Sequence, residues 1–305
     1  MAVLVTGGAG FIGSHIVDKL IEKDYDVCVV DNLVSGNVEN INPKAKFYKV
    51  DVRDNLEDVF KENKIEYCIH QAAQVSVTKS MEDPLLDCSV NILGTLNLLS
   101  FCARYKVKKF IYASSAAVYG EPQYLPIDEN HPKNPMSFYG ISKLTAEKYI
   151  ERFAQNYGFE YVIFRYSNVY GPRQDPFGEG GVVSIFCERM QNDKDVLIFG
   201  DGNQTRDFIF VEDVAEANCL ALKNPIKGTF NLSTNTRVSI NELFEMISNL
   251  TGYQKNAVYA QRRAGDIQHS TLDNSLLKSL LSWSPKYSLK EGLAKTIEYF
   301  KNKSV

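Results

Sequence analysis

The chain has 305 residues, 44% of them hydrophobic and 23% charged, enough apolar material for a large core and two lobes in an ordinary globular protein. A formal net charge of −3 offers no attraction for nucleic acid or an anionic membrane surface, so neither is expected as a partner. Six cysteines (Cys28, Cys68, Cys88, Cys102, Cys187, Cys219) show no C-x-x-C spacing and only four histidines accompany them, so they read as buried reduced thiols and no metal site is expected.

In chain order, Val3 to Val5 is a short apolar strand that runs into TGGAGFIGSH, with Gly7, Gly10 and Gly13 at a strand-to-helix turn and a helix starting near Phe11. Such a turn aims backbone N–H groups and a helix N-terminus at a diphosphate. The second strand, Val27 to Val30, ends in Asp31, about 20 positions past the glycines, where a carboxylate accepts hydrogen bonds from an adenosine ribose. It would repel a 2′-phosphate, so NAD is expected rather than NADP. The N-terminus is already a strand, with no charged prelude, and no apolar run reaches the length of a membrane span, so a cytoplasmic location is expected.

Further strand candidates are Phe47 to Val50, Tyr67 to His70, Phe110 to Ala113 and Tyr161 to Arg165, with amphipathic segments between most of them. The alternation predicts an α/β fold with a doubly wound parallel sheet. After Tyr166, YGPRQDPFGEGG reads as loop, VVSIFCERM as helix and LIFGDG as a short hairpin. Phe208 to Leu222 and Thr229 to Leu232 read as a helix and a strand that return to the first sheet. The expected division is a Rossmann-like NAD-binding domain of residues 1–168 plus about 207–233, interleaved with a smaller substrate-binding lobe of about 169–206 and 234–305.

The chemistry is concentrated in SSAAVYG and YGISK. Tyr139 and Lys143 share a helix face at i, i+4, so the ammonium can favour the phenolate, and Ser115 at a strand end can polarise the same substrate oxygen. That arrangement suits removal of a proton from an alcohol while hydride leaves its carbon.

Across its whole length the chain resembles the extended short-chain dehydrogenases/reductases, and within them the nucleotide-sugar 4-epimerases of the UDP-glucose 4-epimerase type. The motifs are TGGAGFIGSH, the pair Asp31 and Asn32, Asp51 and Val52, HQAAQ, Asn91 before GT, SSAAVYG, YGISK, RYSNVYGPRQ, RDFIFVEDVA and RRAGD. The resemblance implies cofactor contacts from Gly7, Gly10, Phe11, Ile12, Gly13, Asp31, Asn32, Ala113 and Tyr166, with Asp51 and Val52 at the adenine. Ala72, Ala73 and Gln74 would line the diphosphate and nicotinamide ribose, and Asn91 and Lys143 would hold the ribose end. It implies substrate contacts from Ser115, Ala116, Ala117, Val182 and Asp266, with Asn168, Arg206 and Arg263 at the nucleotide diphosphate and Leu197 and Phe199 around uracil.

Nucleotide-sugar dehydratases of this superfamily carry an Asp-Glu pair after the catalytic Ser or Thr, because water elimination needs an acid and a base, and the UDP-glucuronate decarboxylases have a Glu in this region. Here the two positions are Ala116 and Ala117. The resemblance therefore implies a UDP-hexose 4-epimerase that oxidises C4 transiently and returns the hydride to the opposite face of the 4-keto sugar. A UDP-glucuronate 4-epimerase, a net oxidoreductase and a non-catalytic NAD-binding protein are the alternatives. Stoichiometric cofactor consumption would mark an oxidoreductase, and loss of the Tyr or Lys a non-catalytic protein. In the same enzymes a residue seven positions beyond the Arg of R-x-G-D borders the sugar's C2 substituent; that residue is Ser270, small enough to admit an N-acetyl group unless it is an ordinary loop serine. Family members also form homodimers through two helices, here the segments around Gly94 to Tyr105 and Tyr139 to Tyr157.

Overall fold

A computed structural model describes residues 1–177, 181–262 and 266–303. The first part of the chain alternates β1 (Ala2–Thr6), α1 (Phe11–Glu22), β2 (Asp26–Asp31), β3 (Lys46–Lys49), α2 (Glu57–Asn63) and β4 (Tyr67–His70). Next come α3 (Val77–Glu82), α4 (Pro84–Cys88), a π-helical turn at Ser89–Gly94, α5 (Thr95–Arg104), β5 (Lys109–Ser115), α6 (Phe138–Tyr157) and β6 (Glu160–Tyr166). Beyond it lie β7 (Asn168–Tyr170), α7 (Val182–Gln191), β8 (Leu197–Phe199), β9 (Thr205–Arg206), β10 (Phe208–Phe210), α8 (Val211–Lys223) and β11 (Gly228–Leu232). The chain closes with β12 (Val238–Ser239), α9 (Ile240–Thr251), β13 (Val258–Ala260), α10 (Ser275–Leu281) and α11 (Leu289–Lys303).

Seven strands form one sheet in the order β11-β6-β5-β4-β1-β2-β3, all paired in parallel. Its central strands are apolar almost throughout because both faces are covered. Alternate side chains of β1 go to opposite faces: Val3 and Val5 pack with Ile16, Val17 and Leu20 of α1, whereas Leu4 packs with Leu98 and Leu99 of α5 and Ile150 of α6. A third cluster joins Val183 and Phe186 of α7 to Leu243 and Ile247 of α9 and Leu293 of α11. The strand predicted at Thr229 to Leu232 does return to the large sheet, beside β6.

Three expectations are corrected. LIFGDG is not a hairpin: β8 pairs in parallel with β13, and Gly200 (φ 81°) and Gly202 (φ 77°) turn the chain toward β9 instead. Cys88 is exposed, while the other five cysteines are buried, because α4 turns Asp87 inward and leaves Cys88 on its outer side. Finally, α4, the π turn and α5 run on as one helical stretch, Pro84–Arg104, whose length and mean hydropathy of 1.4 are those of a membrane span. Its buried positions include Asp87, Asn91 and Thr95, polar groups hydrogen-bonded within the fold, and Leu98, Leu99 and Cys102 pack on the sheet, so it reads as a core helix.

Candidate functional site

The C-terminal ends of β1, β2, β4, β5 and β6 open on one edge of the sheet, where the strand order reverses between β1 and β4, the place at which open α/β sheets bind ligands. Gly7 takes a left-handed φ of 67°, and a Cβ on it would lie 2.6 Å from the Ala72 nitrogen. A Cβ on Gly13 would lie 2.1 Å from the Gly7 carbonyl oxygen. Glycine is therefore required at both. Gly10 caps α1 without any side-chain acceptor, and Phe11 and Ile12 begin the helix half-buried, so the first turn offers its N–H groups outward. This glycine cradle fits the diphosphate of a dinucleotide.

Asp31 ends β2 only 7% exposed, its Oδ2 accepting from the Ala9 N–H at 3.0 Å and its Oδ1 from the Leu33 N–H at 2.8 Å. Burial raises its carboxyl above the usual range, against the pull of those two bonds. Next to it Asn32 donates to Asp51 at 2.7 Å, and Arg53, paired with Asp51 at 2.8 Å, holds that carboxyl well below its usual range. Val52 is buried, and its carbonyl accepts from Asn97 at 2.8 Å.

The start of α6 explains how Tyr139 is aimed. Ser137 caps the helix by accepting from the Gly140 N–H at 3.1 Å, and a Cβ on Gly140 would stand 2.6 Å from the Ala117 carbonyl oxygen. With no side chain there, the first turn of α6 sits directly on the 3-10 turn Ala116–Val118 that follows β5. Tyr139 thereby starts the helix beside the end of β5, where the Ser115 Oγ accepts from the Ala117 N–H at 3.1 Å. One turn on, Lys143 is 3% exposed; its Nζ donates to the Ala113 carbonyl at 2.8 Å and lies 4.9 Å from the Tyr112 ring and 5.8 Å from the Tyr139 ring.

The electrostatics differ from the sequence expectation in one respect. Burial pushes the Tyr139 phenol up to about 12, against the opposing pull of the Ser115 hydroxyl, so the phenol is protonated at neutral pH. Burial also lowers Lys143 to about 8, opposed by the charges of Asp87 and Glu147.

Beside the pair, the Gln74 N–H donates to Asn91 Oδ1 at 2.8 Å, and Asn91 Nδ2 lies 3.0 Å from the Gln74 carbonyl and 3.1 Å from Ser142 Oγ. Asp87, not singled out in the sequence, accepts from both Gln74 and Asn91 at 3.0 Å. Its spacing of four from Asn91 on one helix was the available signal. The Ala72 N–H meets Thr6 Oγ1 at 3.3 Å, with Ala73 half-buried next to it. Tyr166 is buried with its hydroxyl accepting from Gln71 and Asn218, each at 3.0 Å.

Of the residues that the resemblance assigns to the substrate, Asn168 and Val182 share a small cleft of about 30 Å³ with Gln174 and Phe208. Arg206 Nη2 lies 3.5 Å from Asp266, and burial lowers its guanidinium from the usual value. A larger cleft of about 270 Å³, lined by Gly200, Asp201, Gln204, Arg262, Asp266 and Gln268, opens at this end and not over Tyr139. Leu197, on β8, is 41% exposed, and Phe199 at the end of that strand accepts through its carbonyl from Gln204 at 2.7 Å. The Ser270 N–H donates to the Thr205 carbonyl at 3.1 Å, which ties its segment to β9 and Arg206. Arg263 lies outside the described residues.

A family model described as NAD dependent epimerase/dehydratase matches residues 3–233. The chain is 51% identical to a putative UDP-glucose 4-epimerase of Methanocaldococcus jannaschii over 98% of each chain. Among solved structures, a UDP-glucose 4-epimerase of Thermotoga maritima with UDP-glucose superposes with a TM-score of 0.98 at 48% identity, covering 100% of both chains. A UDP-N-acetylglucosamine 4-epimerase of Methanobrevibacter ruminantium, in complex with UDP-N-acetylmuramic acid, does so with a TM-score of 0.95 at 39% identity, over 99% of this chain and 98% of the other.

Proposed function

Since the chain belongs to the NAD dependent epimerase/dehydratase family, we propose that it is a UDP-sugar 4-epimerase that inverts C4 and accepts N-acetylated hexoses as well as plain ones. The observation that carries this reading is the packing of the first turn of α6 on Ala117, with Lys143 Nζ 5.8 Å from the Tyr139 ring and Ser115, Ala116 and Ala117 at the end of β5 beside them. The two alanines have no group with which to eliminate water, so the site is equipped to oxidise and reduce one carbon and nothing further.

NAD, the cofactor of the family, supplies the acceptor and donor of a hydride at the sugar's C4. Gly7, Gly10 and Gly13 would hold its diphosphate, Asp31 its adenosine ribose, and Lys143, with Asn91 and Gln74 behind it, its nicotinamide ribose. Tyr139 takes the proton of the C4 hydroxyl and gives it back, while Ser115, whose Oγ already accepts from Ala117, donates to the same oxygen. Arg206, with Arg263, anchors the nucleotide diphosphate while the 4-keto sugar presents its other face, and Leu197 and Phe199 flank the base. Residues 1–168 and about 207–233 carry the cofactor in this reading, and the remainder carries the nucleotide.

Ser270 supports the wider substrate range, since its segment is tied to β9 and its hydroxymethyl leaves space that a phenol would fill. The test is product analysis with UDP-glucose and UDP-N-acetylglucosamine side by side, on the native chain and on Ser270→Tyr. The native chain is expected to epimerise both. Overfilling a packed pocket costs about 1–3 kcal/mol, so the variant should lose roughly ten- to a hundredfold on the N-acetylated sugar alone. An equal loss on both sugars, or none on either, removes Ser270 from the role of gate. Failure of the native chain to epimerise either sugar overturns the function.

We also propose a cytoplasmic homodimer. Leu85 and Leu93 on the stretch Pro84–Arg104 and Phe138, Ile141 and Tyr149 on α6 are all more than 40% exposed, an apolar surface larger than single scattered residues. Sedimentation equilibrium should give twice the 34.4 kDa chain mass, and a monomer at micromolar concentration would refute it.

A further inference from the structure

Lys143 is a buried cation, and the reaction as described does not say what offsets its charge. It is 3% exposed, and among the described residues it enters no ion pair; its ammonium donates to the Ala113 carbonyl at 2.8 Å. An ammonium taken out of water is costly unless its surroundings compensate it. Aromatic faces do so here. Nζ lies over the Tyr112 ring, 4.9 Å from its centroid, and over the Tyr139 ring at 5.8 Å.

Tyr112 is the closer of the two rings and is held on every side. It stands on β5, 1% exposed, in register with His70 of β4 and Ile163 of β6, and its ring packs 5.6 Å from the His70 imidazole. Alternation along β5 turns Phe110 and Tyr112 to the face of the sheet covered by α5 and α6, the helix that carries Lys143. Two consecutive positions of one strand therefore meet the ammonium, Tyr112 with its ring and Ala113 with its carbonyl.

We propose that Tyr112 is a positioning residue for Lys143, its ring face keeping the buried ammonium charged and in place through a cation–π contact. A ring attracts a cation through its quadrupole and carries no net charge, so the charge of Lys143 stays available to the Tyr139 phenol and to the cofactor. A carboxylate in the same place would have cancelled that field. The proposal rests on the reading of Lys143 as the cation beside the catalytic phenol. The other titratable groups around Lys143 are Tyr139 and Glu147 of α6, the latter 2.6 Å from Arg165 of β6, with Asp87 of α4 and His70 of β4; Lys79 and Glu82 of α3 are exposed.

The experiment follows the Lys143 Cε signal by NMR from about pH 6 to 10 in protein carrying isotope-labelled lysine, the signal being identified by its loss in Lys143→Arg. It compares the native chain, Tyr112→Phe, and the same variant with mono-, di- or trifluorinated phenylalanine at that position. Fluorine withdraws charge from the ring face and leaves the shape of the ring nearly unchanged, and every other group around Lys143 is common to all arms. The contact favours the charged form, so weakening it lowers the midpoint. Tyr112→Phe should titrate within about 0.3 pH unit of native, and each added fluorine should lower the midpoint, by roughly one unit for the trifluorinated ring. A midpoint that ignores fluorination overturns the proposal, because a ring that merely fills space would leave the titration alone. A fall already complete in Tyr112→Phe overturns it too, since the hydroxyl and not the face would then be responsible. The readout needs neither sugar nor turnover: a native chain that fails to epimerise while its Lys143 midpoint follows the fluorine series sinks the function and leaves Tyr112 in place.

Discussion

Replacing Tyr139 by Phe is expected to lower kcat for C4 epimerisation by on the order of 10³-fold, as for loss of a general base, while NAD stays bound. The change removes one oxygen from a ring that keeps its place: α6 is fixed by the Ser137 cap and by the contact of Gly140 with Ala117, neither of which involves the phenol. Cofactor content of the purified variant, read by absorbance after denaturation, should therefore equal that of the native protein. Tyr139 is the phenol with Lys143 Nζ 5.8 Å from its ring, and His70, buried and lowered to about 3, offers no base in its place. Turnover within tenfold of native in the Phe variant would sink the assignment. The pH profile should carry a further mark. The phenol near 12 and the ammonium near 8 are in the wrong order for a base beside a cation at neutral pH, so further positive charge must reach the phenol before it works. Bound oxidised NAD would supply that charge through its cationic nicotinamide. Activity should accordingly persist below the pH at which the cofactor-free phenol ionises.

What the sequence disclosed was chemistry that a local pattern dictates. Gly7 and Gly13 are forced by contacts of 2.6 and 2.1 Å, and a position that excludes every Cβ is visible in the sequence as a glycine. Likewise Asp31 stands at the end of a buried strand, where a charge needs a reason. The strand at Thr229 to Leu232 was legible because its apolar run is strand-like and follows the helix α8, the spacing of a crossover.

The misread elements depend on partners far along the chain. LIFGDG has the glycines of a hairpin, yet β8 pairs with β13, some 60 residues later, and no local signal names that partner. Asp87 was passed over because a lone charge near a helix start ordinarily faces solvent; that it meets Gln74 and Asn91 depends on where α4 packs. Cys88 lies one residue on and is exposed for the same geometric reason, as a step of about 100° round the helix turns it outward. The acidity of Tyr139 was not legible either, since i, i+4 spacing to a lysine reports proximity and says nothing of how deeply both groups are desolvated.

The largest effect on stability is expected at Glu147, four residues beyond Lys143. Its carboxylate is 0% exposed and binds Arg165 through two bonds, Nε at 3.0 Å and Nη2 at 2.6 Å, and it also accepts from Ser114 beside Ser115. These bonds fasten α6 to β5 and β6, the strands whose ends carry the site. Glu147→Ala leaves the Arg165 guanidinium buried with only the Tyr119 hydroxyl at 3.0 Å and a backbone carbonyl at 3.4 Å as partners. An uncompensated buried charge costs about 3–5 kcal/mol, a large share of the stability of a domain of this kind. Urea denaturation at fixed pH should show that loss. Replacing both partners by apolar residues of similar size, as in Glu147→Leu with Arg165→Met, should be less destabilising than Glu147→Ala alone, because no charge is then stranded. A single variant within about 1 kcal/mol of native would show that water reaches Arg165 and that the pair does not carry the junction. If the double variant folds but loses turnover, the pair holds the catalytic helix in register; if it keeps turnover, packing alone sets the position of Tyr139.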